Sequence, residues 1–205
     1  MKEMNFIISA LVGYLFGSIP FALVIGKLFY KTDVREHGSK NLGASNAGRV
    51  LGKTAAVSIA ALDLSKSAVA VWIAFMLFGK DVAIIAGVAT SLGHCYPLFA
   101  KFKGGKAVST AAGYLLALSF LSETNGWIIG VIPIIVFFGL LKLFKMVSLA
   151  SISAVTVATI LLFTLQSNFM ISGSFAIVAV IVIARHHENI GRIMAGTERK
   201  IKWMG

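Results

Sequence analysis

Cysteine is all but missing from this chain of 205 residues: Cys95 stands alone. That excludes an intrachain disulfide, a CxxC redox pair and a cysteine-built metal cluster, and leaves Cys95 as a small buried hydrophobe. Acidic residues are scarce as well, eight against nineteen lysines and arginines, for a formal charge of +11. In a water-soluble chain such an excess would suggest nucleic acid. No nucleic acid is expected here, because 58% of the residues are hydrophobic and the mean hydropathy is +0.88. A soluble domain of this size is far more polar, and its core could not hide apolar runs of such length. A signal-peptide cleavage site is missing too. The first apolar run follows one basic residue, Lys2, and continues past Gly13, Gly17 and Pro20 without an A-x-A-like site, so it reads as a retained span.

What is present is a series of seven apolar segments: Phe6–Leu28, Ala55–Phe78, Val82–Leu98, Ala107–Leu121, Trp127–Phe144, Val147–Leu165 and Phe169–Ala184. They predict an all-α membrane protein with seven transmembrane helices, forming a single polytopic domain over residues 1–205. An odd number of spans puts the termini on opposite sides. Sixteen of the nineteen basic residues fall on one side: Lys27 to Lys53, Lys101 to Lys106, Lys142 with Lys145, and Arg185 to Lys202. Only Lys2 and Lys80 fall on the other, while Lys66 lies within the second span. The positive-inside rule then sets the N-terminus outside and the C-terminus in the cytoplasm.

The outer connections (Gly79–Asp81, Ser122–Gly126 and Gln166–Asn168) are too short to house a site, so function is expected at the longer inner ones. Val82–Leu98 would rise only about 25 Å as a helix, and Ala107–Leu121 less. The inner loop between them is therefore expected to dip below the membrane surface, where irregular backbone survives only if protein buries it or it lines a wet cavity. Asp63 and Lys66 lie three apart, on one face of the second helix. An ion pair facing the bundle interior is the plainer reading, with a direct substrate role the alternative. Ser148 and Ser151 share a face at the start of span six, where serines cap or pack, and where free helix amides can also receive an anion.

Three inner clusters carry the chemistry. The first, residues 38–49, alternates small residues, hydroxyls and amides and ends on Arg49. Its glycines permit close approach, Ser and Asn supply neutral donors, and Arg49 can grip a phosphate bidentately. The second, residues 93–110, runs from Gly93-His94 through Lys101, Lys103, Gly104, Gly105 and Lys106 to Ser109-Thr110. Gly-Gly-Lys entering a helix suits anions, although Ala107 after Lys106 rules out a Walker A motif. The third, residues 185–198, holds His186, His187, Glu188, Asn189, Arg192 and Glu198. Adjacent histidines point about 100° apart on a helix and chelate poorly, and HExxH is absent. No metal and no cofactor is expected. A histidine acting on a substrate hydroxyl is the functional reading, and interfacial packing the plainer one. No GxSxG elbow occurs and no buried carboxylate pair can be assigned. Many phosphate binders without a protein nucleophile suit transfer between two phosphate-bearing molecules, where a site mainly orients reactants and stabilises charge.

In these clusters the whole chain resembles the PlsY-type acyl-phosphate:glycerol-3-phosphate acyltransferases of bacterial membranes. The family's first motif, approximately G-S-x-N-x-G-A-T-N-x-x-R, is matched from Gly38 to Arg49 with Ser45 for threonine. Its second, G-H-x-x-P followed by F-K-G-G-K-G-V-A-T, is matched at Gly93, His94, Pro97 and Phe102 to Lys106, with Ala107 and Ser109 departing. Its third, H-R-E-N-I-x-R-x-x-x-G-x-E, is matched from His186 to Glu198, with His187 for arginine. That exchange trades a permanent cation for a titratable one.

The resemblance implies acyl transfer from a fatty acyl phosphate to the 1-hydroxyl of sn-glycerol 3-phosphate, giving lysophosphatidic acid and phosphate, the first acylation of phospholipid synthesis. It implies as partners glycerol 3-phosphate, fatty acyl phosphate, membrane lipids and an enzyme supplying the acyl phosphate, and as location the bacterial inner membrane. The H-x-x-x-x-D motif of other acyltransferases is missing, in keeping with no direct use of acyl-CoA. On this reading Lys106, the Gly104 and Gly105 amides and Arg49 hold phosphates. Ser39, Asn41, Ser45 and Asn189 orient glycerol 3-phosphate, and Ser148 contributes from span six. His186 polarises or positions the attacking hydroxyl, unless the donor's own phosphate serves as base. Glu188 braces the basic loops, and the acyl chain lies in an apolar groove open to lipid. A carrier for a phosphorylated metabolite is the rival reading, but no internal repeat with a midplane site is visible. A lipid-binding scaffold is a third, and it would not need the glycine spacings.

Overall fold

In the computed structural model, which describes residues 2–122 and 125–201, Pro20 breaks the first apolar segment in two. Helix α1 (Lys2–Gly17) stops before it and α2 (Phe21–Tyr30) restarts after it, because proline lacks an amide and disfavours helix at the residue preceding it. Helix α3 (Ala44–Leu51) follows, then α4 (Lys53–Phe78), which turns through Gly79 alone, at φ 84°, into α5 (Lys80–Cys95). A 3₁₀ turn (Leu98–Ala100) leads to α6 (Val108–Leu121), then α7 (Gly126–Phe144), α8 (Val147–Leu165), α9 (Phe169–Ala184) and α10 (His187–Met194). No strand occurs among the described residues.

Each of the seven expected segments lies on helix, but length and apolarity qualify fewer as crossings. Among the described residues five stretches suffice: Lys2–Tyr30, Lys53–Phe78, Lys80–Ala100, Gly126–Phe144 and Val147–Leu165. A sixth is added if α9 and α10 count as one span despite a 59° bend. The 14 residues of α6 rise about 21 Å, short of a hydrocarbon core. The exposed side chains on these helices include Trp72, Met76, Phe120, Trp127, Phe138 and Val180, a surface that water would penalise and lipid accepts. Part of the connection expected at Ser122–Gly126, and Lys202 among the inner cations, lie outside the described residues.

The chain divides into two compact units, Met1–Tyr114 and Leu115–Gly205. In the first, α1 and α5 meet through small residues. A Cβ on Gly13 or Gly17 would collide with the backbone of Ala86 or Thr90, and one on Gly93 with the Tyr14 carbonyl. Between lipid-solvated helices, where no hydrophobic gain drives association, such close approach supplies the packing energy. The Ser9 hydroxyl donates to the Val82 carbonyl (2.9 Å), and that of Tyr14 to the Tyr96 carbonyl (2.8 Å). The ring of Tyr114 lies across Gly87, and Gly113 lies on the Leu64 carbonyl, so α6 starts against both α4 and α5. A second apolar cluster joins Ala22, Val34, Leu42, Ala47, Ala55, Ile59 and Ala100. It seats α3 and the 3₁₀ turn together over the first turns of α4.

In the second unit α7 and α8 form an antiparallel pair joined at Lys145, which adopts a left-handed φ of 58°. Asn168 caps α9 by accepting from the Met170 amide (2.9 Å), and the Ser172 hydroxyl ties α9 to α8 at the Leu162 carbonyl (2.8 Å). After α10 the chain returns, and the Ile201 amide donates to the Lys145 carbonyl (2.8 Å) while its side chain packs on Leu141 and Ala150.

A Gly17→Val change should force α1 from α5 and cost about 1–3 kcal/mol, as overpacking of a tight contact does. Thermal unfolding in detergent checks it, with Gly173→Val, at a half-buried glycine where a Cβ meets only the Phe169 ring edge at 3.9 Å, as a control expected to show far less change.

Candidate functional site

The first cluster is held from within by a residue whose role the sequence did not reveal. Asn46 is buried on α3, and its Oδ1 accepts from the Ser39 amide (2.7 Å) while its Nδ2 donates to the carbonyls of Val34 (2.9 Å) and His37 (3.2 Å). Gly38 passes at φ 62° directly over that amide, where any Cβ would collide with Asn46 Oδ1. The signal was the asparagine one residue after Ser45. It read as one more donor, because only the fold distinguishes a buried amide from an exposed one.

With the loop so fixed, Arg49 reaches back to both hydroxyls named with it: Nη1 lies 3.2 Å from Ser45 Oγ, and Nη2 3.5 Å from Ser39 Oγ. A guanidinium and two hydroxyls thus converge at an exposed surface, a fork suited to phosphate oxygens. Asn41 sits half-buried at the approach to α3. Upstream, Asp33 is gripped by Arg35 (2.6 and 2.9 Å), whose hydrogen bonds hold the Asp33 carboxyl well below the usual carboxylate range.

The second cluster corrects one expectation. The Gly104 and Gly105 amides are not turned outward to a phosphate. They donate to the carbonyls of Cys95 (3.2 Å) and His94 (2.9 Å), because α5 ends there and its last carbonyls need donors. Glycine is required for another reason: a Cβ at position 104 would overlap the His94 carbonyl, and one at 105 the His94 ring. Lys106 follows directly, half-buried. Ala107, which departs from the family's glycine, is fully buried at a left-handed φ of 58°.

Asp63 and Lys66 form the expected ion pair, Nζ to Oδ1 at 2.7 Å, with both side chains buried. His94, which no reading of the sequence attached to them, joins the pair: its Nδ1 lies 3.1 Å from Lys66 Nζ and 3.5 Å from Asp63 Oδ1. His94 and Lys66 line a narrow pocket with Gly17, Leu42, Pro97 and Gly104.

In the second unit the organising group is Glu198. Its Oε1 accepts from Asn189 Nδ2 (2.6 Å) and from the Ser148 hydroxyl (2.8 Å), and its Oε2 from Arg192 Nε (2.8 Å). The bracing role expected of Glu188 therefore falls to Glu198. Glu188 points outward, its side chain 70% exposed and 3.7 Å from Arg192. Glu188 lies on α10 and Glu198 ten residues further on, in the strap after it, a difference in surroundings that spacing alone does not disclose. Burial would raise the Glu198 carboxyl, but the donors from Asn189, Ser148 and Arg192 more than offset it and hold the group below its ordinary 4.5.

His186 is buried at the bend between α9 and α10, with Nδ1 2.7 Å from the Val182 carbonyl. A carbonyl only accepts, so Nδ1 carries the proton and the Nε2 of the neutral ring carries a lone pair. His187 is exposed and makes the same contact with the Ala184 carbonyl at 3.0 Å.

The model of the family described as glycerol-3-phosphate acyltransferase matches residues 7–196. Glycerol-3-phosphate acyltransferase of Exiguobacterium sibiricum is 44% identical over 191 residues, covering 93% of this chain and 91% of the relative. That of Listeria monocytogenes is 42% identical over 98% of each. Among solved structures, the glycerol 3-phosphate form of PlsY, an integral membrane glycerol 3-phosphate acyltransferase, aligns at a TM-score of 0.87 with 36% identity over 96% of each chain. Its lysophosphatidic acid form aligns at 0.83 with 35% identity, over 96% of this chain and 95% of that one. With five or six apolar crossings among its helices, the chain is a multi-pass α-helical membrane protein.

Because the folded Glu198 pKa lies below the unfolded one, its network stabilises the protein above the unfolded value, and that contribution drains away as pH falls from 4.5 through the folded value. Thermal melts of wild type and Glu198→Gln should differ at neutral pH and converge at acid pH. A gap that stayed constant with pH would remove the ionised carboxylate from the account.

Proposed function

This chain belongs to the glycerol-3-phosphate acyltransferase family, and we propose that it moves a fatty acyl group from acyl phosphate to the 1-hydroxyl of sn-glycerol 3-phosphate. The observation that carries this reading is the fold shared with PlsY, whose solved forms are those of glycerol 3-phosphate and lysophosphatidic acid, acceptor and product of that reaction. The acceptor oxygen bonds to the acyl carbon, the acyl–phosphate C–O bond breaks, and its electron pair leaves on inorganic phosphate. The hydroxyl proton ends on that phosphate. Phosphate leaves readily, so the protein mainly binds, orients and neutralises charge.

The residues proposed to grip phosphate are Arg49 with Ser39, Asn41 and Ser45, and Lys106 on the turn that Gly104 and Gly105 allow to form. Those proposed to act on the hydroxyl are His186, Ser148 and Asn189. His186, fixed by the contact of its Nδ1 with the Val182 carbonyl, is the group proposed to position the attacking hydroxyl. Ser148 and Asn189 each donate a hydrogen bond to Glu198, which fixes their orientation. Glu198 and Arg192 hold that arrangement rigid. The charge asymmetry of the sequence supports an outside N-terminus and a cytoplasmic site in a bacterial inner membrane. The water-soluble acceptor then arrives from the cytoplasm, while the acyl donor, handed on by the enzyme that makes it, and the lipid product share the bilayer.

Purified protein in vesicles should make lysophosphatidic acid from acyl phosphate and not from acyl-CoA. Absence of product with either donor, with glycerol phosphate entering the vesicles, would instead establish a carrier. Lys106→Ala should raise the KM for phosphate-bearing substrate tenfold or more, the value of about 1.5–3 kcal/mol for a charged hydrogen bond, while leaving thermal stability nearly unchanged. His186→Ala should lower kcat by roughly a hundredfold, the lower end of acid–base contributions. Full turnover would take His186 out of the mechanism.

A further inference from the structure

The buried trio of Asp63, Lys66 and His94 is left unused by this reaction, and its hydrogen-bond directions are determined by chemistry. An ammonium has three protons and no acceptor. Lys66 faces three acceptors: Asp63 Oδ1 at 2.7 Å, the Ile19 carbonyl at 2.8 Å and His94 Nδ1 at 3.1 Å. A proton on His94 Nδ1 would face the ammonium at 3.1 Å and have only Asp63 Oδ1, 3.5 Å away, to accept it, so the shorter contact favours a lone pair on Nδ1 and the ring proton on Nε2. That nitrogen lies against Gly105, where the smallest side chain would overlap it. The main chain of His94 grips the same residue, accepting from the Gly105 amide at 2.9 Å. One histidine therefore holds the turn that carries Lys106 by both its backbone and its ring. The opposite tautomer would place a lone pair beneath the turn, which repels an anion. The Nε2–H form places the positive end of an N–H dipole there.

We propose that Lys66, anchored by Asp63, is a positioning residue that locks His94 as the neutral Nε2–H tautomer, and that His94 in this form positions the Gly104–Lys106 turn and favours a phosphate bound at it. The inference rests on the reading of Lys106 as a phosphate ligand. It leaves the proton transfer itself to other groups.

Two measurements test it. Nitrogen-15 NMR of histidine-labelled full-length protein in detergent reports the tautomer directly. The His94 signal is assigned by its loss in His94→Gln or, if that variant does not fold, by removing His37, His186 and His187 in turn. A neutral ring protonated at Nε2 is expected, and a ring protonated at Nδ1, or a charged ring, overturns the proposal. Kinetics separate positioning from mere structure. His94→Leu should raise the KM for glycerol 3-phosphate or acyl phosphate about tenfold with kcat within threefold, and His94→Gln, which keeps an N–H near the Nε2 position, should restore most of it. An unchanged KM in folded His94→Leu also overturns the proposal. In Asp63→Leu/Lys66→Met, which removes the buried charges together because stranding one is costly, the preference for the Nε2–H form should be lost. Its retention would show that Lys66 does not set it. Wild-type protein inactive with either acyl donor would sink the acyl-transfer reading, while the tautomer measurement decides this one on its own.

Discussion

Backbone that leaves the helix inside an apolar segment must find a protein partner, because no water is there to supply one. Pro20 creates that problem in the first unit by breaking the helix, and the Ile19 carbonyl there accepts both from the Phe21 amide (3.2 Å) and from the Lys66 ammonium (2.8 Å). The ammonium in turn needs a counter-charge, which Asp63 provides one helical turn away on the same face of α4. It also stands 5.6 Å from the centre of the Phe21 ring, close enough for the ring face to contribute. A broken helix, a buried ion pair and a histidine at the end of α5 are thus one structure. Removing either charge alone would strand the other in a medium that cannot solvate it.

The second unit solves its own version with the opposite sign. Its bend at His186 and the strap after α10 bring hydroxyl, amide and guanidinium donors onto the Glu198 carboxylate. A carboxylate accepts along four lone-pair directions, so one acid can fix Ser148, Asn189 and Arg192 together, and charge-assisted bonds make that clamp stronger than neutral ones. In the second unit the Glu198 carboxylate restricts groups proposed to meet substrate, and in the first the neutral Asn46 amide holds the loop that carries them. That division of labour favours catalysis by orientation, since displacements of an ångström cost rate when no covalent step compensates.

The glycines show where one-dimensional reading assigns the right residues for the wrong reason. Gly104 and Gly105 read as a cradle for an anion, and they are indeed indispensable to the turn. Their amides, however, are committed to the end of α5, and their missing side chains make room for His94. Ala107 makes a related point from the other side. The family pattern carries glycine there, and the backbone of this chain does adopt the left-handed region at that residue, which costs an L-residue about 1–2 kcal/mol.

The sequence by itself determined the solvent of this protein and set its apolar runs largely on helix, but it did not announce the break at Pro20 or the helices α3 and α10. Hydrophobic run length, the one-sided distribution of lysine and arginine, and motif spacing are all properties of the chain in order, and each is legible without coordinates. Only the tertiary structure decided which polar groups are spent holding the protein together and which remain for a substrate. Asn46 and Ser45 are neighbours in sequence, yet one is buried as a latch and the other faces Arg49. Glu188 and Glu198 are both acids of the same motif, yet one is solvated and the other collects three donors. His94 lies 28 residues from Lys66 and meets it because α4 and α5 pack side by side. The physical reason is common to these cases. A hydrogen bond depends on position and angle to within fractions of an ångström and a few tens of degrees, and residue order constrains neither across two helices.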